Sequence, residues 1–327
     1  MKVLVTGSTG YVGVPLVRRL AEEGFEVHAL ARTPGEDREH PGVRTFKGDV
    51  LDTDSLEAAV AGCEAVYHLA AYAGVWAKDP DRFRLVNVEG TRNVFNAAAE
   101  AGVKRVVVTS TGGVMGHSPA DGRAVDEQTY DNPPLASWYE KSKLAAENLA
   151  FSYQKKGLKV VVVNPTRIFG PGPLNESNSV TKLIKQFNDG KWRFIPGDGE
   201  SVGNYVYLDD VVDGHILAME KGTSGERYIL GGTNVSYNQL FSLLREVTGS
   251  RQRLFHTPLA PMLLFSRLEL LKARLTGKKP LIVPEFVHKL TKNWSMSIEK
   301  ARKELGYSPM VFEDAVQMTL NWIKQNT

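Results

Sequence analysis

Short apolar, β-branched runs recur along the chain at 2–6, 25–31, 43–47, 65–69, 103–109 and 159–164, with one more at 227–230. Most are near-continuous Val, Ile, Leu and Phe rather than alternating apolar and polar, the pattern of strands covered on both faces. Between them, apolar residues at three- and four-residue spacing predict helices over 15–23, 54–61, 88–101, 137–155 and 209–221. This strand–helix alternation predicts an α/β fold, a doubly wound parallel sheet of about seven strands. After Asn164 the rhythm breaks: Pro165 and the run Gly170-Pro171-Gly172-Pro173 read as loop, and a helix is expected over 179–188. From Ser236 onward helices dominate, at 237–248, 262–275, 284–291 and 298–305, with a last one starting at Glu313. Two units are therefore expected: a sheet domain from 1–172 and 205–232, and a smaller, mostly helical domain from 173–204 and 233–327. A ligand cleft belongs between them.

Composition works mostly by exclusion. The 327 residues are 42% hydrophobic and 24% charged, ordinary for a globular protein. The net charge is +3 and no segment concentrates it, which argues against a nucleic-acid partner. Cys63 is the single cysteine, which excludes an intrachain disulfide framework and a Cys-rich zinc site. No signal-peptide-like run follows Met1-Lys2, and the apolar stretch 254–266 is too short for the ~20 residues of a membrane span. A cytoplasmic protein without an integral membrane segment is expected. Asp209-Asp210 has no His or Cys neighbours and reads as a helix N-cap, so no metal site is expected.

Candidate chemistry begins at the end of the first strand, in Thr6-Gly7-Ser8-Thr9-Gly10-Tyr11-Val12-Gly13. Glycines at 7, 10 and 13, after a strand and before a helix, allow a tight turn, close approach to a pyrophosphate and close helix–strand packing. That context makes the sheet domain a Rossmann-type dinucleotide-binding unit, with Thr9, Tyr11 and Val12 in the same loop. The second strand ends in Ala31-Arg32-Thr33, with no carboxylate until Glu36. An acidic residue there would bind a ribose 2′-hydroxyl, whereas an arginine accommodates a 2′-phosphate, so NADP(H) is expected in preference to NAD(H). Asp49 and Val50 follow the third strand, where a short side chain can hold the adenine amino group. His68-Leu69-Ala70-Ala71 ends the fourth strand with small residues against which a cofactor can lie. Thr109 ends the fifth strand, and the segment after the sixth, Pro165, Thr166 and Ile168, is expected to close over the nicotinamide.

Tyr139 and Lys143 stand four residues apart on one helix face, after the fifth strand. A neighbouring ammonium favours phenolate, so Lys143 is expected to pull the Tyr139 pKa down from ~10 and make it an acid/base for a carbonyl. The lysine can also hold the nicotinamide ribose. Ser110 and Thr111 at the end of the fifth strand both offer a hydroxyl to orient the carbonyl oxygen, and both also read as a cap.

The glycine motif, Asp49, His68-Leu69-Ala70-Ala71, Asn87 in Asn-Val-Glu-Gly-Thr, Tyr139-x-x-x-Lys143 and Asn164-Pro165 occur in order over nearly the whole chain. In this the sequence resembles the extended short-chain dehydrogenases/reductases, the NAD-dependent epimerase/dehydratase family. It looks most like the branches of dihydroflavonol-reductase-like proteins with hopanoid-associated sugar epimerases, and of 3β-hydroxysteroid dehydrogenases. The resemblance implies that the catalytic Ser/Thr, five residues before Gly116, is Thr111, and that Asn87 supports Lys143 through its backbone. It also implies pairing of two long helices per subunit, here 88–101 and 137–155, into a homodimer. Nucleotide-sugar epimerases of the family carry an arginine just before the aromatic that is Tyr205 here; this chain has Gly203 and Asn204. Losing that clamp counts against a nucleotide-diphosphate sugar.

The substrate-facing candidates are Tyr72, Trp76, Thr111, Gly112, Met115 and Tyr139, with His117, Tyr130 and Trp138 nearby, an aromatic and rather apolar set. The expected activity is NADP(H)-dependent reduction of a ketone or aldehyde on a fairly apolar small molecule, or the reverse oxidation. NAD(H) use and a redox-neutral sugar epimerase or dehydratase are the alternatives.

Overall fold

The computed structural model describes residues 1–33 and 40–326; Glu36 lies outside them. Twelve strands occur among the described residues. The first six are β1 (Lys2–Thr6), β2 (Glu26–Ala31), β3 (Val43–Lys47), β4 (Ala65–His68), β5 (Arg105–Thr109) and β6 (Lys159–Pro165). The others are β7 (Arg167–Phe169), β8 (Phe194–Pro196), β9 (Val202–Tyr207), β10 (Arg227–Leu230), β11 (Thr233–Ser236) and β12 (Phe255–Thr257). Seven of them form one sheet in the order β10-β6-β5-β4-β1-β2-β3, every pair parallel. The seven runs read from the sequence are these seven strands, within two residues at each end. Connections run outward in both directions from β1 and β4, so a crevice opens beyond their carboxyl ends.

The continuous apolar runs follow from cover on both faces. Val3, Val5, Val107, Val161 and Val163 point to one side, where the helices Gly13–Glu22 and Leu208–Lys221 supply Leu16, Leu20, Val211 and Val212. Leu4, Val106, Val108, Val160 and Val162 point to the other, under the helices Thr53–Val60, Gly90–Glu100 and Trp138–Ser152. A one-residue slip would exchange the two faces, but both are apolar, so it is the glycine turns and helix caps that hold the register. The helix Trp138–Ser152 begins in a capping box: the Ser137 hydroxyl accepts from the Glu140 N–H at 3.2 Å, and Glu140 accepts from the Ser137 N–H at 3.1 Å. This sets Tyr139 in the first turn.

Several segments depart from the sequence reading. The stretch after Pro165 is not loop: Arg167–Phe169 forms β7 and pairs in parallel with β9, which also pairs with β11. The helix expected from residue 88 is entered through a π-helical turn, Leu85–Glu89, that seats Asn87 in the interior. Asp209 and Asp210 do not cap the helix Leu208–Lys221; both lie in its first turn, and Asp210 accepts from the Met310 N–H at 3.0 Å. A third apolar cluster joins Phe169, Tyr205 and Tyr207 to Phe187, Phe241, Phe312 and Leu320 from later helices. Met296, Ile298, Ala301 and Leu305 pack instead with the main sheet. Along the helix Leu259–Thr276, Leu264, Leu268, Leu271 and Leu275 are exposed. No helix among the described residues is long and apolar enough to cross a membrane.

Among the described glycines, the closest approach to backbone is at Gly13, where an added Cβ would fall on the Gly7 carbonyl oxygen. Backbone cannot yield as a side chain can, so Gly13→Ala is expected to cost more than about 2 kcal/mol. Urea denaturation reads this as a lower midpoint with an unchanged slope.

Candidate functional site

A cavity of about 1220 Å³ runs from the carboxyl ends of the main sheet to the smaller layer. Its floor is the glycine turn. Gly7 has φ +69°, and an added Cβ would stand 2.6 Å from the Ala70 nitrogen, so the ends of β1 and β4 meet with no room for a side chain. The Gly10 N–H donates to the Gly7 carbonyl at 2.9 Å and closes the turn. The helix Gly13–Glu22 then starts with no capping side chain and no acid in its first turn; Val14 donates to the Gly10 carbonyl at 3.0 Å and Pro15 has no N–H, so the backbone N–H groups of Tyr11, Val12 and Gly13 are the ones left for an anion. These features fit a dinucleotide pyrophosphate, and Gly7, Thr9, Gly10, Tyr11, Val12 and Gly13 all line the cavity. Tyr11 braces the far wall, its hydroxyl donating to the Gly170 carbonyl at 3.1 Å.

Along the rim lie Arg32, Asp49 and Val50, and across the floor Leu69, Ala70 and Ala71. Arg32 is largely exposed, 4.0 Å from the Asp49 carboxylate. Thr109, Pro165, Thr166 and Ile168 complete the expected cofactor set, and every member of it lines the same cavity. His68 is structural: Nδ1 meets the Thr6 hydroxyl at 2.8 Å and Nε2 the Thr91 hydroxyl at 2.9 Å, while burial drives its pKa down to about 3.

The helix Trp138–Ser152 carries Tyr139, Lys143 and Glu147 on one face. The Tyr139 hydroxyl faces Thr111, and all of Thr111, Tyr139 and Lys143 line the cavity. Thr111 also caps the turn Gly112–Met115, accepting from the Gly113 N–H at 3.2 Å. Contrary to the sequence expectation, the Tyr139 pKa is not pulled down. Burial raises it to about 12, against the opposing pull of the Thr111 hydroxyl. Lys143 points its ammonium at the Thr109 carbonyl, 2.7 Å away, and burial lowers its pKa to about 8 while Glu147 opposes that. Its charge is thus spent on backbone and carboxylate. The Asn87 side chain accepts from the Tyr72 N–H at 2.7 Å and donates to Ser142 at 2.9 Å, and the Asn87 backbone carbonyl accepts from the Thr91 hydroxyl at 2.6 Å.

Glu147 escaped the sequence reading, although its i+4 spacing from Lys143 signals it. It is fully buried, accepts from Asn164 Nδ2 at 2.7 Å and lies 3.5 Å from Arg227. Asn164 Nδ2 reaches the Thr111 carbonyl at 3.2 Å, so one amide ties the helix to the end of β5.

At the substrate end, Tyr72, Thr111, Gly112 and Tyr139 line the cavity; Trp76 and Met115 do not. The Tyr72 hydroxyl donates to the Trp76 carbonyl at 3.0 Å, folding that loop back so that Tyr72 and Ala73 face inward and Trp76 does not. Met115 is 4% exposed and packs in the main core beneath its turn. His117 sits against Trp294, Tyr130 bonds to the His117 carbonyl, and Trp138 is exposed. The apolar wall comes instead from Met262, Phe265, Ile282, Phe286 and Leu290. Met262 and Phe265 lie in the helix predicted over 262–275 and Phe286 and Leu290 in the one predicted over 284–291, with Ile282 between them.

The family described as NAD dependent epimerase/dehydratase matches residues 3–231, most of the chain. The chain belongs to this family. Over 330 residues it is 31% identical to a putative dihydroflavonol 4-reductase of Synechocystis sp., covering 98% of this chain and 94% of that one. It is 32% identical over 323 residues to a 2-alkyl-3-oxoalkanoate reductase of Stenotrophomonas maltophilia, covering 95% and 96%. It is similar to the solved structure of a Thermotoga maritima UDP-glucose 4-epimerase with UDP-glucose, with a TM-score of 0.80, 28% identity and 99% of each chain covered. This member of the family is an NAD(P)-dependent oxidoreductase of the extended short-chain type. The family's parallel sheet, glycine turn and Tyr-x-x-x-Lys helix meet here around one cavity.

Proposed function

We propose that this enzyme reduces a ketone or aldehyde on a fairly apolar small molecule, or oxidises the matching alcohol, using NADP(H). The observation that carries this reading is the wall of Met262, Phe265, Ile282, Phe286 and Leu290 in one cavity with Thr111 and Tyr139. Relatives named as reductases of a dihydroflavonol and of a 2-alkyl-3-oxoalkanoate support it. The hydride is the nicotinamide's contribution when the cofactor is bound; the proton is the protein's. Tyr139 donates its hydroxyl proton to the carbonyl oxygen, and Thr111, facing Tyr139, positions that oxygen. Lys143 holds the Thr109 carbonyl and the nicotinamide ribose. Arg32 takes the 2′-phosphate in place of its loose contact with Asp49. The protein is read as cytoplasmic and as a homodimer pairing the helices at 88–101 and 137–155, on which Leu149 is half-buried.

A tyrosine whose pKa lies near 12 is protonated throughout the neutral range, which suits proton donation. The reduction rate should therefore stay level from pH 6 to about 7 and fall only as Lys143, lowered to about 8, loses its proton, while alcohol oxidation, which needs the phenolate, should rise from pH 6 to 7. Tyr139→Phe should lower kcat in both directions by roughly 10²–10⁴-fold. Retention of full turnover by that variant would refute the role. Arg32→Asp should lower the NADPH-to-NADH ratio of kcat/KM at least tenfold, by removing a cation and repelling the 2′-phosphate; an unchanged ratio would remove Arg32 from cofactor choice.

The likeness to a solved epimerase supports a second reading, a redox-neutral epimerase or dehydratase. Mass identification of the nucleotide released on denaturing freshly purified protein separates the two. A net reductase should come free of cofactor, and near-stoichiometric NAD(P)⁺ would favour the second reading.

A further inference from the structure

One half-buried charge at the substrate end has no counter-charge among the described residues. Arg167, on β7, lines the cavity, and its Nη1 donates to the Tyr205 hydroxyl at 3.1 Å. The guanidinium also meets the Tyr237 hydroxyl, and its carbon lies 5.4 Å from the Tyr205 ring centre and 5.9 Å from that of Tyr237. Both partners are neutral phenols, and no carboxylate pairs with it. Of the other cations in the lining, Lys289 pairs with Glu140, Arg32 faces Asp49 and Lys143 has Glu147, while Arg82 and Lys182 have no carboxylate partner among the described residues but are exposed to water, which Arg167 is only in part. Neighbouring acceptors are already in use. The Asn204 side-chain oxygen takes the Thr166 hydroxyl at 2.7 Å and the Gly232 N–H at 2.9 Å.

We propose that Arg167 binds a carboxylate of the substrate, so that the molecule reduced is an apolar oxo acid rather than a neutral ketone. A half-buried guanidinium facing only neutral phenols is incompletely solvated, and a carboxylate accepting two of its five N–H donors makes up for the water it has lost. Gly203 makes the room: a Cβ there would collide with Nη1, so the arginine can lie across β9 only because that position has no side chain. The pairing of β7 with β9 places Arg167 beside Tyr205. Its position next to Thr166, which packs on Gly112, puts the anion site in the same chamber as Thr111. Leu183, Trp192 and Leu240 line the cavity around it, a surface for the acid's hydrocarbon part.

The proposal rests on the reductase reading for the ketone but not for the anion, so binding and turnover are measured separately. Calorimetry on NADP⁺-saturated protein compares decanoate with methyl decanoate for the wild type, Arg167→Gln and Arg167→Lys. The wild type should bind decanoate at least tenfold more tightly than the ester, Arg167→Gln should reduce that ratio to near one, and Arg167→Lys should retain part of it. Thermal melts confirm that each variant folds; should Arg167→Gln fail to, Arg167→Lys and Tyr205→Phe carry the comparison. A wild type that binds acid and ester equally, or an acid preference that survives Arg167→Gln, overturns the proposal. Turnover of oxodecanoic acids with the ketone at C3 to C6, against their methyl esters, should show the same preference in KM rather than kcat. Decanoate binding that depends on Arg167 with no turnover of any oxo acid would leave the anion site standing and count against the reductase reading alone.

Discussion

The site depends on one buried cation. Lys143 is 2% exposed, and its ammonium is paid for by the Thr109 carbonyl and by Glu147 a turn further along the same helix. Burying such a charge is tolerable only if those partners stay in place, so the helix Trp138–Ser152 cannot slide along the end of β5 without stranding it. Asn164 adds a second tie, joining Glu147 to the Thr111 carbonyl. Tyr139, in the first turn of the helix, and Thr111, just past the end of the strand, are thereby held facing each other in one cavity.

The same burial explains why the tyrosine and lysine do not influence each other as their spacing implies. Two groups on one helix face share a neighbourhood, but each responds first to loss of water. The phenol is pushed up to about 12 and the ammonium down to about 8, so both drift toward their neutral forms. A proton held firmly on Tyr139 is a proton ready for a carbonyl oxygen. The lysine's positive charge is directed mainly at backbone, which makes it an anchor for geometry more than a lever on acidity.

Charge is distributed along the cavity in a way that separates tasks. At one end the glycine turn offers uncapped N–H groups and Arg32 stands at the rim. In the middle lie the hydroxyls of Thr111 and Tyr139. At the other end an apolar wall surrounds Arg167, whose neighbours are phenols. The smaller layer that builds this end is assembled from distant segments: β7 and β9 come from the middle of the chain, and Phe286 and Leu290 from near its end.

What the sequence by itself determined is local. The seven strands of the sheet, the glycine turn and the Tyr139–Lys143 pair were legible because each is specified within a few residues, by continuous apolar runs, by glycines between strand and helix, and by i,i+4 spacing. Each such signal survives whatever the rest of the chain does. Tertiary structure decided the rest. Met115 fell to the core and Trp76 outside the cavity because a tight turn and one tyrosine hydrogen bond chose which side chain faces inward. Asn87 went to Tyr72 and Ser142, and Asp209 and Asp210 were left without a capping role, because their partners lie on other elements. Arg167 has no role in the sequence reading, since its meaning comes from β7 lying beside β9, 38 residues away in the Arg167–Tyr205 bond. Contacts between distant segments leave no periodicity in a single chain, so their chemistry appears only when the fold brings them together.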